Sequence, residues 1–154
     1  VPRVLHVPSN PLVKGTAEIM PILTGMHADG LIEYVTVSGV SHAEMPALYA
    51  GADIVVDQFR LGDYGVAACE AMAAGRLVVS HVSEQARTAV QDASGVDLPI
   101  VEATIGNLGE VLRDVLADRE RYRDIAAQGP GFVTTVHDGR LSRTVLEEGF
   151  LFRD

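Results

Sequence analysis

The chain has 154 residues, 47% of them hydrophobic and 21% charged, which describes one globular domain with room for a core and excludes a disordered segment. A single cysteine excludes a disulfide framework or a cysteine-based zinc site, and no apolar run nears the roughly 18 residues of a membrane-spanning helix. The net charge of −9 is spread evenly, four basic against eight acidic residues in 1–77 and eight against thirteen in 78–154, so no basic face is offered to nucleic acid.

Strand and helix signals alternate along the chain. Arg3–Val7 reads as a strand closed by Pro8-Ser9-Asn10-Pro11. Helical spacing follows over Gly15–Met26 through Ile19, Ile22, Leu23 and Met26, with Pro21 predicting a kink or a late start. Ile32–Val37 is a second strand, and Ser41-His-Ala-Glu44 is a capping-box pattern opening a helix that ends near Gly51. Ala52–Asp57 is a third strand, apolar enough to be covered on both faces. A polar loop, Gln58–Tyr64, precedes a small-residue helix from Gly65 to about Ala74, which Gly75 ends. Leu77–Val82 is a fourth strand, Ser83 caps a helix to about Gln91, and Pro99–Glu102 is a short fifth strand. Ile105, Leu108, Val111, Leu112, Val115 and Leu116 form one helical stripe. Two more helices, Asp118–Gln128 and Leu141–Phe150, are predicted on either side of a break at Gly129-Pro130-Gly131.

This alternation predicts a Rossmann-like three-layer α/β/α domain with a mainly parallel sheet of five to six strands. Ligands of such sheets bind beyond the carboxyl ends of the strands, which singles out Pro8–Lys14, Ser38–His42 and Gln58–Tyr64. Eleven of the twelve basic residues are Arg; the one Lys, Lys14, stands in the first of these loops beside a helix start. Two readings stand for it: a compact charge at an anion-binding helix N-terminus, or a solvated side chain in a connecting loop.

The helix after Gly65 is almost wholly small and apolar, and Glu70 is its one charged residue. A carboxylate there, tilted toward the helix start, suits a vicinal diol beside backbone donors at Gly65 and Val66. The alternative is a carboxylate on a solvated face or paired with an Arg. Asp57 and Asp63 either line the crevice or shape the turn. His6 and His81, in strand-like segments, read as satisfied core histidines; His42 reads as part of the helix cap, with a ligand contact as the other possibility. Cys69 reads as a buried small hydrophobe.

Two segments taken together resemble the group 1 retaining glycosyltransferases. They are Ser38-Gly-Val-Ser-His-Ala-Glu-Met-Pro-Ala-Leu-Tyr-Ala-Gly-Ala-Asp-Ile-Val-Val-Asp57, and Tyr64-Gly65 followed by Glu70-Ala-Met-Ala-Ala-Gly75-Arg-Leu-Val-Val79. The likeness is to the C-terminal, donor-binding domain of the two-domain GT-B architecture and extends over nearly all of residues 1–154; Val13-Lys14-Gly15 resembles the opening of that domain's first helix, and Asp57-Gln58 resembles a bacterial subgroup. The resemblance implies that Lys14 contacts the donor diphosphate, that Tyr64, Gly65, Val66 and Ala67 receive it at the helix start, that Glu70 binds ribose, and that Gly39, Val40 and Ser41 lie against the nucleobase. Two positions depart from the family pattern. Gly62 stands where a sugar-directed Glu is usual, with Asp63 beside it as a substitute, and Ser9, Asn10 and Pro11 stand where a basic residue is common.

The expected function is therefore donor binding in a cytoplasmic enzyme that moves a sugar from a nucleoside diphosphate sugar to an acceptor, without metal or bound cofactor. The Val-Pro-Arg opening, without Met, reads as that of an excised or processed piece, and the acceptor-binding N-terminal domain has no room in this chain. The isolated chain is thus expected to bind nucleotide without transferring sugar. A degenerate nucleotide-binding or regulatory module is the competing expectation, and a sugar-nucleotide epimerase of the same architecture is a third.

Overall fold

Every strand in the computed structural model, which describes residues 1–147, runs parallel to its neighbours. The strands are β1 (Arg3–His6), β2 (Glu33–Thr36), β3 (Ile54–Val56), β4 (Leu77–Ser80) and β5 (Ile100–Glu102), in the order β2-β1-β3-β4-β5. The sheet thus has five strands, and the predicted three-layer arrangement holds. Register pairs Val4 with both Tyr34 and Ile54, Val55 with Val78, and Ser80 with Glu102.

The period of two along each strand builds two cores. Val4, Ile54, Val56, Leu77 and Val79 face one side, under α2 (Thr16–Ala28) and α6 (Leu108–Ala117). Leu5, Val55 and Val78 face the other, under α3 (Met45–Ala50) and α4 (Val66–Ala73), with α5 (Glu84–Ser94) at the margin. The chain therefore changes sides between β1 and β3, and the region beyond their carboxyl ends is the switch point at which ligands of such sheets bind.

Local chemistry explains the element ends. Asn10 caps a single turn, α1 (Pro11–Lys14), by accepting the Leu12 and Val13 N–H groups at 3.2 and 3.3 Å, so Lys14 sits on a helix rather than in a loop. Pro21 lies inside α2 without stopping it. The capping residues of Ser41-His-Ala-Glu44 are used as predicted in part: the Glu44 carboxylate accepts the Ser41 N–H at 3.0 Å and its hydroxyl at 2.6 Å, over a 3-10 turn that precedes α3. Ser83 caps α5 by accepting the Ala86 N–H. The stripe that starts at Ile105 enters its helix only at Leu108.

The break predicted at Gly129-Pro130-Gly131 does not occur. One helix, α7 (Arg119–His137), runs straight through it. A Cβ on Gly129 would lie 2.6 Å from the Met72 carbonyl oxygen, so this glycine is where α7 lies directly against α4. Gly and Pro cost a helix interior about 1 and 3 kcal/mol. Burying Tyr122, Phe132 and Val136 offsets this at about 1.5–3 kcal/mol for each large apolar side chain. The last helix, α8 (Arg140–Leu146), begins one residue before its predicted start, and the predicted end at Phe150 lies outside the described residues.

Candidate functional site

At the carboxyl end of β1, α1 delivers Lys14 into the interior. The side chain is not solvated: the residue is 7% exposed, and its Nζ donates to Oδ1 of Asp57, itself 3% exposed, at the end of β3. Asp57 neither lines an open surface nor shapes a turn; it neutralises a buried ammonium, and its Oδ2 has no hydrogen-bond partner among the described residues. Beside the pair, fully buried His6 donates from Nδ1 to the Val56 carbonyl at 2.8 Å and accepts from the Thr16 hydroxyl at Nε2, at 2.9 Å. Burial holds its pKa below 6.5, with the Lys14 charge acting in the same direction, so the ring is neutral and the core reading holds for it.

Beyond β3, Gly65 starts α4 in an extended conformation with no side-chain cap. Gly65 and Val66 are exposed, Val66 at 69%, Ala67 is half-buried, and no side chain caps the start of α4, where the helix dipole favours an anion. One turn on, Glu70 is half-buried. It is neither on a solvated face nor paired with an Arg: Oε2 accepts the Tyr49 hydroxyl at 3.3 Å, and Oε1 lies 3.3 Å from Nε2 of His42. Burial first, then the Glu70 charge, pushes the Tyr49 pKa up, so the phenol keeps the proton it donates. His42 follows Ser41 directly, so this contact brings Glu70 beside the loop after β2, where Gly39 and Ser41 are exposed and Val40 packs against the core. Cys69 is half-buried, and burial pushes its thiol up to about 11, the behaviour of an inert small hydrophobe.

The loop between β3 and α4 is held from several sides. The Gln58 side chain donates to the Asp63 carbonyl, the Ser83 N–H donates to the Gly62 carbonyl at 2.8 Å, and Arg60 pairs with Glu18 of α2. Gly62 has φ of +67°, a left-handed conformation in which an L side chain is strained. This is a backbone reason for glycine at the position where the family pattern has a carboxylate. Beside it, exposed Asp63 accepts the Tyr64 N–H at Oδ1, at 2.7 Å. Tyr64 reaches across to α7, with its hydroxyl 3.0 Å from Nε2 of His137 and its ring 6.2 Å from Phe132, and burial pushes its pKa up to about 12.

One group at the same end of the sheet escaped the sequence reading. His81 is not a core residue: it directly follows β4, and its side chain is 31% exposed. Its Nδ1 lies 2.6 Å from Oε1 of Glu102 at the end of β5, while Oε2 accepts the Val82 N–H at 2.8 Å and Arg87 Nη2 at 3.2 Å. Ser80 and Glu102 are register partners, so counting residues along two adjacent strands would have brought the His and the Glu together.

Two hollows lie away from these residues. One, about 370 Å³, is at the β5 edge against α6 and α7; the other, about 480 Å³, is at the amino ends of β3 and β4. Neither is lined by Lys14, Glu70 or Gly65.

The fold is that of a doubly wound α/β domain, with an uncapped helix start and a half-buried carboxylate near the strand switch point. The family model for glycosyl transferases group 1 matches residues 26–132, and the chain belongs to that family. Solved structures of the same fold include Anabaena HepE in complex with UDP-glucose (TM-score 0.62, 14% identity, 95% of this chain and 48% of that one). A mutant form of S. aureus TarM, in complex with fondaparinux, alpha-GlcNAc-glycerol and UDP, aligns at TM-score 0.67 and 11% identity over 94% of this chain and 34% of its own. Sucrose-phosphate synthase from Thermosynechococcus elongatus gives 0.57 and 19% over 97% and 44%. The chain thus spans half or less of each of these proteins. A comparison with curated protein sequences gives no match.

Proposed function

We propose that residues 1–154 are the donor-binding, C-terminal half of a two-domain glycosyltransferase and hold a nucleoside diphosphate sugar in the crevice at the switch point. The observation that carries this reading is Glu70, the lone carboxylate of a small apolar helix, held by Tyr49 and His42 one turn below bare helix N–H groups. Its two oxygens suit the ribose diol, the N–H groups of Val66 and Ala67 suit the diphosphate, and the loop at Gly39, Val40 and Ser41 suits the base. HepE in complex with UDP-glucose and TarM in complex with UDP, which share the fold, point to the same ligand class.

Lys14 enters differently from the sequence expectation. As its C–O bond to the departing diphosphate breaks, the sugar leaves negative charge on the phosphate oxygens, and a positioned cation stabilises that charge. The Lys14 ammonium is held by Asp57, so its contact with a phosphate exchanges one anionic partner for another. Tyr64 and Asp63 act by fixing the loop that presents the α4 start. The acceptor is bound by a domain outside this chain, and the chain alone binds donor without transferring sugar. The substrate class also argues for the cytoplasm, where nucleoside triphosphates are available to make activated sugars.

A thermal-shift panel of uridine, guanosine, thymidine and adenosine diphosphates tests the proposal. One base should raise Tm in proportion to the logarithm of ligand concentration, and Glu70→Ala should remove the shift. No shift with any of the four would refute it. The engagement of Lys14 by Asp57 favours a second reading, a nucleotide-binding module without transfer activity; sugar transfer by the longer protein containing these residues would rule that out.

A further inference from the structure

We infer that His81, oriented by Glu102, accepts a hydrogen bond from a hydroxyl of the sugar carried by the donor. The inference rests on the donor-site reading above and extends it to the far end of the ligand.

The strand order supplies the direction. Across the sheet, the loops at the carboxyl ends come in the sequence β2, β1, β3, β4, β5. The loop assigned to the base follows β2, Lys14 follows β1, and the α4 N–H groups follow β3. A nucleoside diphosphate sugar is itself linear, in the order base, ribose, diphosphate, sugar. A ligand laid out with its base over β2 and its diphosphate over β1 and β3 carries its sugar onward to the end of β4. The residue that follows β4 there is His81.

The side chain is prepared for such a contact. Glu102 is held by the Val82 N–H and by Arg87, and Arg87 is itself anchored by donating to the Ile100 carbonyl at 2.9 Å. A carboxylate only accepts, so the proton shared with Glu102 sits on Nδ1 of His81, and in the neutral ring Nε2 is left as an acceptor. Nε2 has no hydrogen-bond partner among the described residues, and it points back toward the loop that leads to α4: a Cβ on Gly62 would lie 3.5 Å from it. With no side chain on Gly62, the imidazole edge faces this loop with a fixed tautomer. A sugar hydroxyl is the donor of matching size and chemistry. The ring is a recognition group and Glu102 its positioning residue.

Calorimetry on the whole chain tests this with UDP, GDP, dTDP and ADP and with UDP-glucose, GDP-mannose, dTDP-glucose and ADP-glucose, comparing the wild type with His81→Phe and His81→Gln. Gln can place an amide oxygen near the position of Nε2, whereas Phe cannot. His81→Phe should weaken the preferred sugar nucleotide by about 5- to 10-fold while its diphosphate binds as before, and His81→Gln should recover most of the loss. Glu102→Gln should give the same selective loss, because the ring is then free to turn or change tautomer. Equal loss on diphosphate and sugar nucleotide would assign His81 to the fold, and no loss on either would remove it from the site; both results overturn the inference and leave the nucleotide site standing. Failure of the wild type to bind any of the eight ligands would instead overturn the donor-site reading, and this inference with it.

Discussion

Two of the ionic groups at the carboxyl end of the sheet differ mainly in water. Lys14 and Asp57 are sealed between β1 and β3, with side chains 9% and 3% exposed. His81, Glu102 and Arg87, at β4 and β5, are 31%, 42% and 24% exposed. In the sealed pair, each partner keeps the other from being an uncompensated buried charge, and losing either is costly. In the open group, solvent takes up most of any change, so its members can orient a ring without supporting the fold. The centre of the crevice is therefore where binding and stability are entangled, and the β4–β5 edge is where they separate.

The largest expected effect comes from breaking the sealed pair from one side. Lys14→Ala strands the Asp57 carboxylate, and urea denaturation should show a loss of about 3–5 kcal/mol. Replacing both residues together, as Lys14→Met with Asp57→Leu, should recover most of that, because the stranded charge is gone. If Lys14→Ala cost no more than a surface substitution, the contrast between the two groups would collapse.

A smaller effect comes from His6, which lies against the sealed pair. Its folded pKa is lowered below the unfolded value of 6.5 by burial, so below that pH the unfolded chain binds a proton that the folded chain does not. Its stabilising contribution is complete above pH 6.5 and is lost as pH falls from there toward the folded value. Denaturation midpoints taken from about pH 7.5 down to about pH 5 should fall, and His6→Gln should flatten that part of the profile. A limited effect is expected at the open edge: Arg87→Gln should lower stability by about 1–2 kcal/mol, as read from Tm, since its ion pair is partly in solvent and its bond to the Ile100 carbonyl is lost with it.

Much of this architecture was legible in the sequence. The five strands, the small-residue helix that carries Glu70 and the Ser83 cap follow from alternation, turn residues and capping chemistry, which are local signals. The readings that failed depended on partners distant in sequence. Gly129-Pro130-Gly131 looks like a break because helix propensity counts only its own residues; the Met72 backbone that needs Gly129 lies far earlier in the chain. Of the two readings of Lys14, the solvated one fails only when Asp57, 43 residues on, is brought beside it. His81 looks like a strand residue until the register of β4 with β5 brings Glu102 against it. Of the candidate site, the position of the loops at the strand ends and of Glu70 on a small-residue helix was legible; the side chains that Lys14, Glu70 and His81 meet were not.

Helix α7 begins beside one core, where Tyr122 joins the residues under α2 and α6, and ends in the other with Phe132 and Val136, its last residue His137 meeting Tyr64. It works as a cross-brace between the two sides of the sheet. Detaching it would uncover both cores at once and slacken the rim of the crevice, so the slowest-exchanging amides on the two faces should open together in one cooperative event rather than layer by layer.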